Sequence, residues 1–393
     1  NLQFDIGNDV TVKVGRVGPK VQYAKRHGLK QRNKGSPRVL WDVIENSTCL
    51  TDVASTGTKS KTTALFPRNS RNFSTLTADT PKDVIRSLDL PEAILIGVQK
   101  GGTTALFQYI DKHPDIVKSA KELYFLDEKV DKMMIQNYQY SNGAAGGGIP
   151  QFRARQQYSI LMRNAKKYPQ VDQGKMLLDL TPNYAFYSDR VPARISCLLP
   201  WAKLMVLLRN PVDRARSQYD MKVRFVKNAK KKRNEHGLRV PTFRQYVLND
   251  LAALKETGVI QDWSNVDFDT FFNSAAMQEA WRSYINSGMN APIGMGLYAL
   301  QLQPFLELPN EFLAIQSEKL MTRTDETYGE VLDFLGLQRI SLDWYPKANN
   351  AGGGKKKTDV DRETERLLQS VFEPFNRKLA DLLGEEWEGV WEA

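Results

Sequence analysis

The stretch AILIGVQKGGTTALF (Ala93–Phe107) joins an apolar run to a helical pattern through a turn that holds Gly97, Gly101 and Gly102. Lys100 lies inside the turn, and Thr103 and Thr104 follow it. A glycine-rich strand-to-helix turn offers several backbone N–H groups to an anion, and the helix dipole adds to the attraction. The two threonine hydroxyls are further donors. A nucleotide triphosphatase loop needs its lysine directly before the hydroxyl residue, whose oxygen then holds magnesium. Here Gly102 fills that place and Lys100 stands two residues earlier, so the turn suits a phosphate that comes without a metal. The alternative is a strand–helix turn with no ligand.

Two further stretches favour a ligand. The apolar run KLMVLL (Lys203–Leu208) ends in Arg209-Asn210-Pro211, and Ser217 falls about two turns into the helix that Pro211 opens. An arginine at a strand's carboxyl edge with a serine on the next helix makes a second phosphate site; alternatively the arginine caps its own sheet. The run GGGKKK (Gly352–Lys357) can close over a nucleotide through the amides of Gly353 and Gly354 and the charges of Lys355, Lys356 and Lys357, and taken alone it reads equally as a solvated linker.

These stretches need a sheet to place them. Buried strands are expected at Ala93–Val98, Lys175–Leu180, Lys203–Leu208 and Phe312–Gln316. Helices are expected at 103–112, 191–199, from Pro211, and around 243–256, 275–287, 297–307 and 325–336, with a last amphipathic helix to about Leu383. Residues 141–150 (SNGAAGGGIP) read as a flexible loop. Short apolar strands alternating with helices predict an α/β fold: a central parallel sheet covered by helices on both faces. Residues 1–85, rich in Ser, Thr, Asn, Lys and Arg with little periodicity, read as an N-terminal basic extension or stem, and 86–393 as the globular domain.

Composition narrows the function. The 393 residues are 41% hydrophobic and 25% charged, ordinary for a globular chain, and no apolar run is long enough to span a membrane. The net charge of +10 is concentrated at the start, where residues 1–80 hold 13 Lys/Arg against 6 Asp/Glu. A uniformly basic nucleic-acid binder does not look like this, so no nucleic-acid partner is expected. Two cysteines (Cys49, Cys197) and three scattered histidines (His27, His113, His236) show no metal-ligand spacing, and metal-free chemistry is expected. The sequons at Asn46 and Asn72 lean towards a secretory glycoprotein. The chain opens on Asn1 rather than Met, which suggests a longer precursor that could carry a signal or anchor.

In order and spacing, GVQKGGTTAL, KELYFLD, LDLTPNY, LLRNPVDRARSQY and GGGKKKTDVD resemble the PAPS-dependent carbohydrate sulfotransferases. The similarity is to the heparan sulfate 3-O-sulfotransferases and to the sulfotransferase domain of the N-deacetylase/N-sulfotransferases, over about residues 91–385. The resemblance implies a P-loop-containing nucleotide-binding fold, PAPS as donor and PAP as product, with two separated phosphate sites and no magnesium. It implies that Lys100, Gly101, Gly102, Thr103 and Thr104 hold the 5′-phosphosulfate, that Arg209 and Ser217 bind the 3′-phosphate, and that Gly353 to Lys357 form the closing loop. Glu122 falls where these enzymes place their catalytic base, as an acceptor hydroxyl or amine must lose a proton when it attacks sulfur. Without the neighbouring motifs it would read as a surface carboxylate beside Lys121 or Lys118. Lys100 would stabilise charge on the bridging oxygen.

The acceptor half matches less well. The 3-O-sulfotransferases have histidine where this chain has Tyr124 and lysine where it has Leu180, and a cysteine-bridged hairpin where Trp344 runs into YPKANNAGGGKKK. Lys121, Tyr124 and Asp179 are acceptor-side candidates, Asp179 also an alternative base. Lys222–Arg233 carries seven Lys/Arg and no acid; Lys230, Lys231, Lys232 and Arg233 are candidates to meet an anionic glycan, or else a solvated helix end. The expected partner is a glycan acceptor in a Golgi lumen, with a membrane attached only through an anchor outside this chain. Alternatives are a small hydroxylated metabolite as acceptor, a cytoplasmic location, a P-loop kinase and a simple polyanion binder.

Overall fold

The computed structural model describes residues 2–6, 10–14, 73, 76–119, 122–132, 151–165, 174–233, 240–263, 266–287, 291–342 and 358–391. The chain forms two compact units: a sheet unit of residues 35–209 with 301–353, and a helical unit of residues 1–34 with 210–300 and 354–393. In the helical unit, β1 (Leu2–Ile6) and β2 (Val10–Val14) pair as an antiparallel hairpin.

The sheet unit begins with α1 (Lys82–Ser87), β3 (Ala93–Gly97), α2 (Thr103–Ile110) and β4 (Ile116–Lys118). It continues with α3 (Gln151–Ala165), β5 (Met176–Leu180), α4 (Val191–Leu198) and β6 (Lys203–Leu208). The helical unit then supplies α5 (Pro211–Arg233), α6 (Phe243–Glu256), α7 (Phe268–Phe272) and α8 (Ala275–Asn286). After α9 (Tyr298–Leu306) the chain adds β7 (Phe312–Gln316), α10 (Ser317–Thr322) and α11 (Thr324–Leu335) to the sheet unit. It ends with α12 (Arg362–Leu383) in the helical unit.

The sheet is five-stranded, in the order β4-β5-β3-β6-β7, and every pairing is parallel. Residues 93–97 are all buried, which explains why β3 is apolar throughout rather than alternating. On one face the stripe Ala105, Leu106, Tyr109 and Ile110 of α2 packs with Leu95, Leu178, Met205 and Leu207, and α11 adds Tyr328, Val331, Leu332 and Leu335. The expected α/β architecture with a central parallel sheet is the one observed.

Arg155 on α3 is fully buried, and its guanidinium donates to the carbonyls of Phe73 (2.8 Å), Leu76 (3.1 Å), Cys197 (3.1 Å) and Leu198 (2.9 Å). A buried cation persists only when so satisfied. Of the segment read as a stem, Phe73, Leu76 and Ile85 are therefore buried in the sheet unit, with Ile85 of α1 at 1% exposure. Most of the remaining stem, the 141–150 loop and Trp344 lie outside the described residues.

Candidate active site

The chain runs from β3 outward to β4, returns through β5 beside β3, and then crosses to β6 on the other side. In open parallel sheets the crevice at such a reversal, beyond the carboxyl ends of the strands, is where ligands bind. The segments that leave β3, β5, β6 and β7 at this edge carry Lys100, Thr181, Arg209 and Ser317.

Beyond Gly97 the backbone folds tightly on the end of β6. The Val98 amide donates to the Leu207 carbonyl (3.1 Å), and the Gly101 amide turns back to the Val98 carbonyl (2.9 Å). Lys100 and Gly102 are both left-handed, with φ of +72° and +97°. A Cβ on Gly101 would lie 2.4 Å from the Leu207 carbonyl oxygen. Backbone cannot yield there as a side chain could, so position 101 requires glycine. Helix α2 then opens at Thr103 with Gly102 as its N-cap, and no side chain caps it. The first amides of a helix have no partner within it. The result is a narrow turn, closed on the side of β6, with uncapped helix amides, the buried Thr103 and the exposed Thr104 at its mouth.

The segment holding Glu122 hangs from β5. Asp179 is fully buried, and all its partners are inside the protein: Thr181 Oγ1 donates to Oδ1 (2.6 Å), and Tyr184 (2.8 Å) and Tyr158 donate to Oδ2. Thr181 Oγ1 accepts from the Leu123 amide (3.0 Å), and the Tyr184 hydroxyl accepts from the Phe125 amide (3.1 Å). The Lys129 ammonium donates to the Leu123 carbonyl. Asp179 is thus a hub that fixes the backbone on both sides of Tyr124. Burial raises its carboxyl above the usual range, the three hydroxyl donors oppose the rise, and the nearby Lys129 charge opposes it further.

Leu123 points inward at 1% exposure, so Glu122 and Tyr124, two residues apart, share the outward side. The Tyr124 hydroxyl donates to Glu122 Oε2. Burial and then this bond push the Tyr124 phenol well above its ordinary range, so it remains a donor at physiological pH. Tyr124 itself is left-handed (φ +50°). Next to it, Asp127 accepts from Asn183 (3.1 Å) and the Glu128 amide (2.9 Å), and burial lifts its carboxyl to about 6.

The sheet unit thus holds Lys100 to Thr104, Glu122, Tyr124, Asp179 and Arg209. Leu180 is in the apolar core at 1% exposure. Ser217 lies part-buried on α5 in the helical unit, where Asn210 Oδ1 caps the helix by accepting from the amides of Val212 (3.0 Å) and Asp213 (3.2 Å). Lys230 to Arg233 occupy the final turns of α5; Lys121 and Gly353 to Lys357 lie outside the described residues. Sequence reasoning missed Tyr158, Thr181, Tyr184 and Lys129. Thr181 and Tyr184 stand in LDLTPNY and were within reach; Tyr158 meets Asp179 from a helix with no local sign of the pairing.

A family model of the sulfotransferase domain matches residues 90–378. Heparan sulfate glucosamine 3-O-sulfotransferase 3A1 of Homo sapiens is 28% identical over 328 residues, which are 77% of this chain and 64% of that protein. The chain thus spans somewhat less than two thirds of that relative. Heparan sulfate glucosamine 3-O-sulfotransferase 5 of Mus musculus is 32% identical over 297 residues, 75% of this chain and 72% of the relative. Among solved structures, a sulfotransferase from Alicyclobacillus acidocaldarius aligns with a TM-score of 0.48 at 19% identity, over 76% of this chain and 98% of its own. The family match starts just before β3 and ends within α12, and the chain belongs to the sulfotransferase domain family.

Proposed function

We propose that the protein moves a sulfuryl group from PAPS to a hydroxyl or amine of an anionic glycan. The turn between β3 and α2 carries the reading: it is closed by the Leu207 carbonyl at Gly101, its helix is uncapped, and its lysine is in the left-handed region. In this assignment Lys100 and the amides and hydroxyls of Gly101 to Thr104 hold the 5′-phosphosulfate. Arg209, leaving β6, takes the 3′-phosphate, and Ser217 keeps the role its motif gives it, as do Gly353 to Lys357. The acceptor oxygen or nitrogen attacks sulfur, the bond from sulfur to the bridging oxygen breaks, and PAP leaves. Glu122 takes the acceptor's proton, held by the hydrogen bond from Tyr124, while Lys100 stabilises charge on the bridging oxygen. Asp179, with its oxygens engaged, positions this base rather than replacing it.

An anionic acceptor is favoured by the run from Lys222 to Arg233, seven positive charges without an acid, a self-repulsion that a polyanion relieves. We place the protein in a Golgi-type lumen. The two sequons support this, and so does Cys197, which is disulfide-bonded. No helix among the described residues is long and apolar enough to cross a membrane. Residues 86–393 are assigned as the catalytic part and residues 1–85 as an N-terminal extension whose last part, at Phe73, Leu76 and Ile85, is buried in the sheet unit.

Incubation with labelled PAPS and a panel of sulfated, unsulfated and small-molecule acceptors, followed by mass analysis, tests the reading. Label in an anionic polysaccharide is expected; label confined to a small molecule refutes the glycan assignment. Arg209→Ala is expected to weaken binding of adenosine 3′,5′-bisphosphate at least tenfold, as a lost charge-assisted bond costs about 1.5–3 kcal/mol. Ser217→Ala is expected to act in the same direction. Calorimetric titration reads both, and unchanged affinity in the two variants puts the 3′-phosphate elsewhere.

A further inference from the structure

Ser317 leaves β7 at the same carboxyl edge as the turn after β3, and none of the motifs includes it. Ser317 is 1% exposed, and its Oγ has no hydrogen-bond partner among the described residues. Buried hydroxyls are almost always paired, because an unpaired one forfeits its hydration. The unpaired hydroxyl lies against the turn: a Cβ on Gly102 would be 3.0 Å from Ser317 Oγ and 3.6 Å from Leu207 Cδ2. Gly102 therefore does two things. Its positive φ lets the turn enter α2, and its missing side chain leaves space between the turn and the end of β7.

We propose that Ser317 is a donor of the anion cradle, its hydroxyl reserved for an oxygen of the 5′-phosphosulfate. The inference rests on the assignment of this turn to that group. Before the donor binds, the hydroxyl is a local cost to the fold; the bound anion supplies the missing acceptor, and hydrogen bonds to charged oxygens are about twice as strong as neutral ones. Part of the donor's affinity is then relief of a polar group that folding leaves unsatisfied. A serine that only packed would need its partner in the free protein.

Ser317→Ala separates these roles. In the free protein the variant is expected to melt at the wild-type temperature or above it, since it removes an unsatisfied buried hydroxyl. Its affinity for adenosine 3′,5′-bisphosphate is expected to fall about tenfold, while affinity for adenosine 3′-monophosphate, which lacks the 5′-phosphate, stays at the wild-type value. Ser317→Asp, which sets a carboxylate against the anion, is expected to abolish the first interaction and spare the second. Equal affinity of Ser317→Ala and wild type for the bisphosphate overturns the proposal. So does a lower melting temperature with affinity unchanged, which makes Ser317 a packing residue. If wild type itself prefers the bisphosphate no more than the 3′-monophosphate, the assignment of the turn has failed, a different result from failure of Ser317 alone.

Discussion

Replacing Lys100 by alanine is expected to lower turnover at least a hundredfold while the melting temperature of the protein stays unchanged. The two halves have separate causes. Lys100 is left-handed, and alanine carries the same Cβ, so the backbone strain is the same in both proteins. The turn around it is held by backbone bonds from Val98 and Gly101, which the substitution does not touch. On the proposed assignment, what is lost is a positive charge beside the oxygen that becomes negative as the sulfuryl bond breaks. Removing one such electrostatic contact costs about 10²–10³-fold in rate. Single-turnover measurement with saturating PAPS reads the effect, and a rate within about tenfold of wild type, a barrier change of only ~1.4 kcal/mol, assigns the charge to another residue.

Glu122→Gln is expected to reduce the rate constant by roughly 10²–10⁴-fold, the usual worth of a general base, and to leave nucleotide affinity at its wild-type value. Glutamine keeps the length of the side chain and an oxygen for the Tyr124 hydroxyl, so the shape of the segment survives while proton acceptance does not. Asp179 gives no rescue: it is fully buried, and its oxygens take bonds from Thr181, Tyr158 and Tyr184. A normal rate together with collapsed nucleotide affinity would show that Glu122 is structural.

Wherever burial alone dictates an element, the chain announced it. The run KLMVLL could only be a strand covered on both faces, and β6 covers the six residues expected; Pro211 opens α5 as its fixed φ requires. Strand β4 escaped because it has three residues and no alternation to detect. Helix α3 escaped because its sequence, QFRARQQYSILMRNA, is mainly polar, and its place in the fold comes from Arg155 and Tyr158 reaching partners far along the chain. The site divides in the same way. A glycine turn is local chemistry, so the turn from Lys100 into the helix at Thr103 was legible. The hub at Asp179 is assembled from β5, α3 and the segment after it, and a carboxylate in LDL does not disclose whether it faces solvent or three hydroxyls. Ser317 was silent too, since a serine before a short helix reads as a routine cap, whereas here Gln316 occupies the cap position.

The four carbonyls around Arg155 also set how far the chain can be shortened. Two of them, from Cys197 and Leu198, belong to the sheet unit's own helix α4, but the other two come from Phe73 and Leu76, ahead of every motif. A fragment cut at residue 86, where the sequence alone invites the cut, would take the Phe73 and Leu76 carbonyls away from this permanent cation, at about 1.5–3 kcal/mol for each lost hydrogen bond to a charged group. The smallest autonomous form of the sheet unit is therefore longer than its recognisable motifs, and the stretch that looks dispensable by composition contains its first indispensable carbonyl.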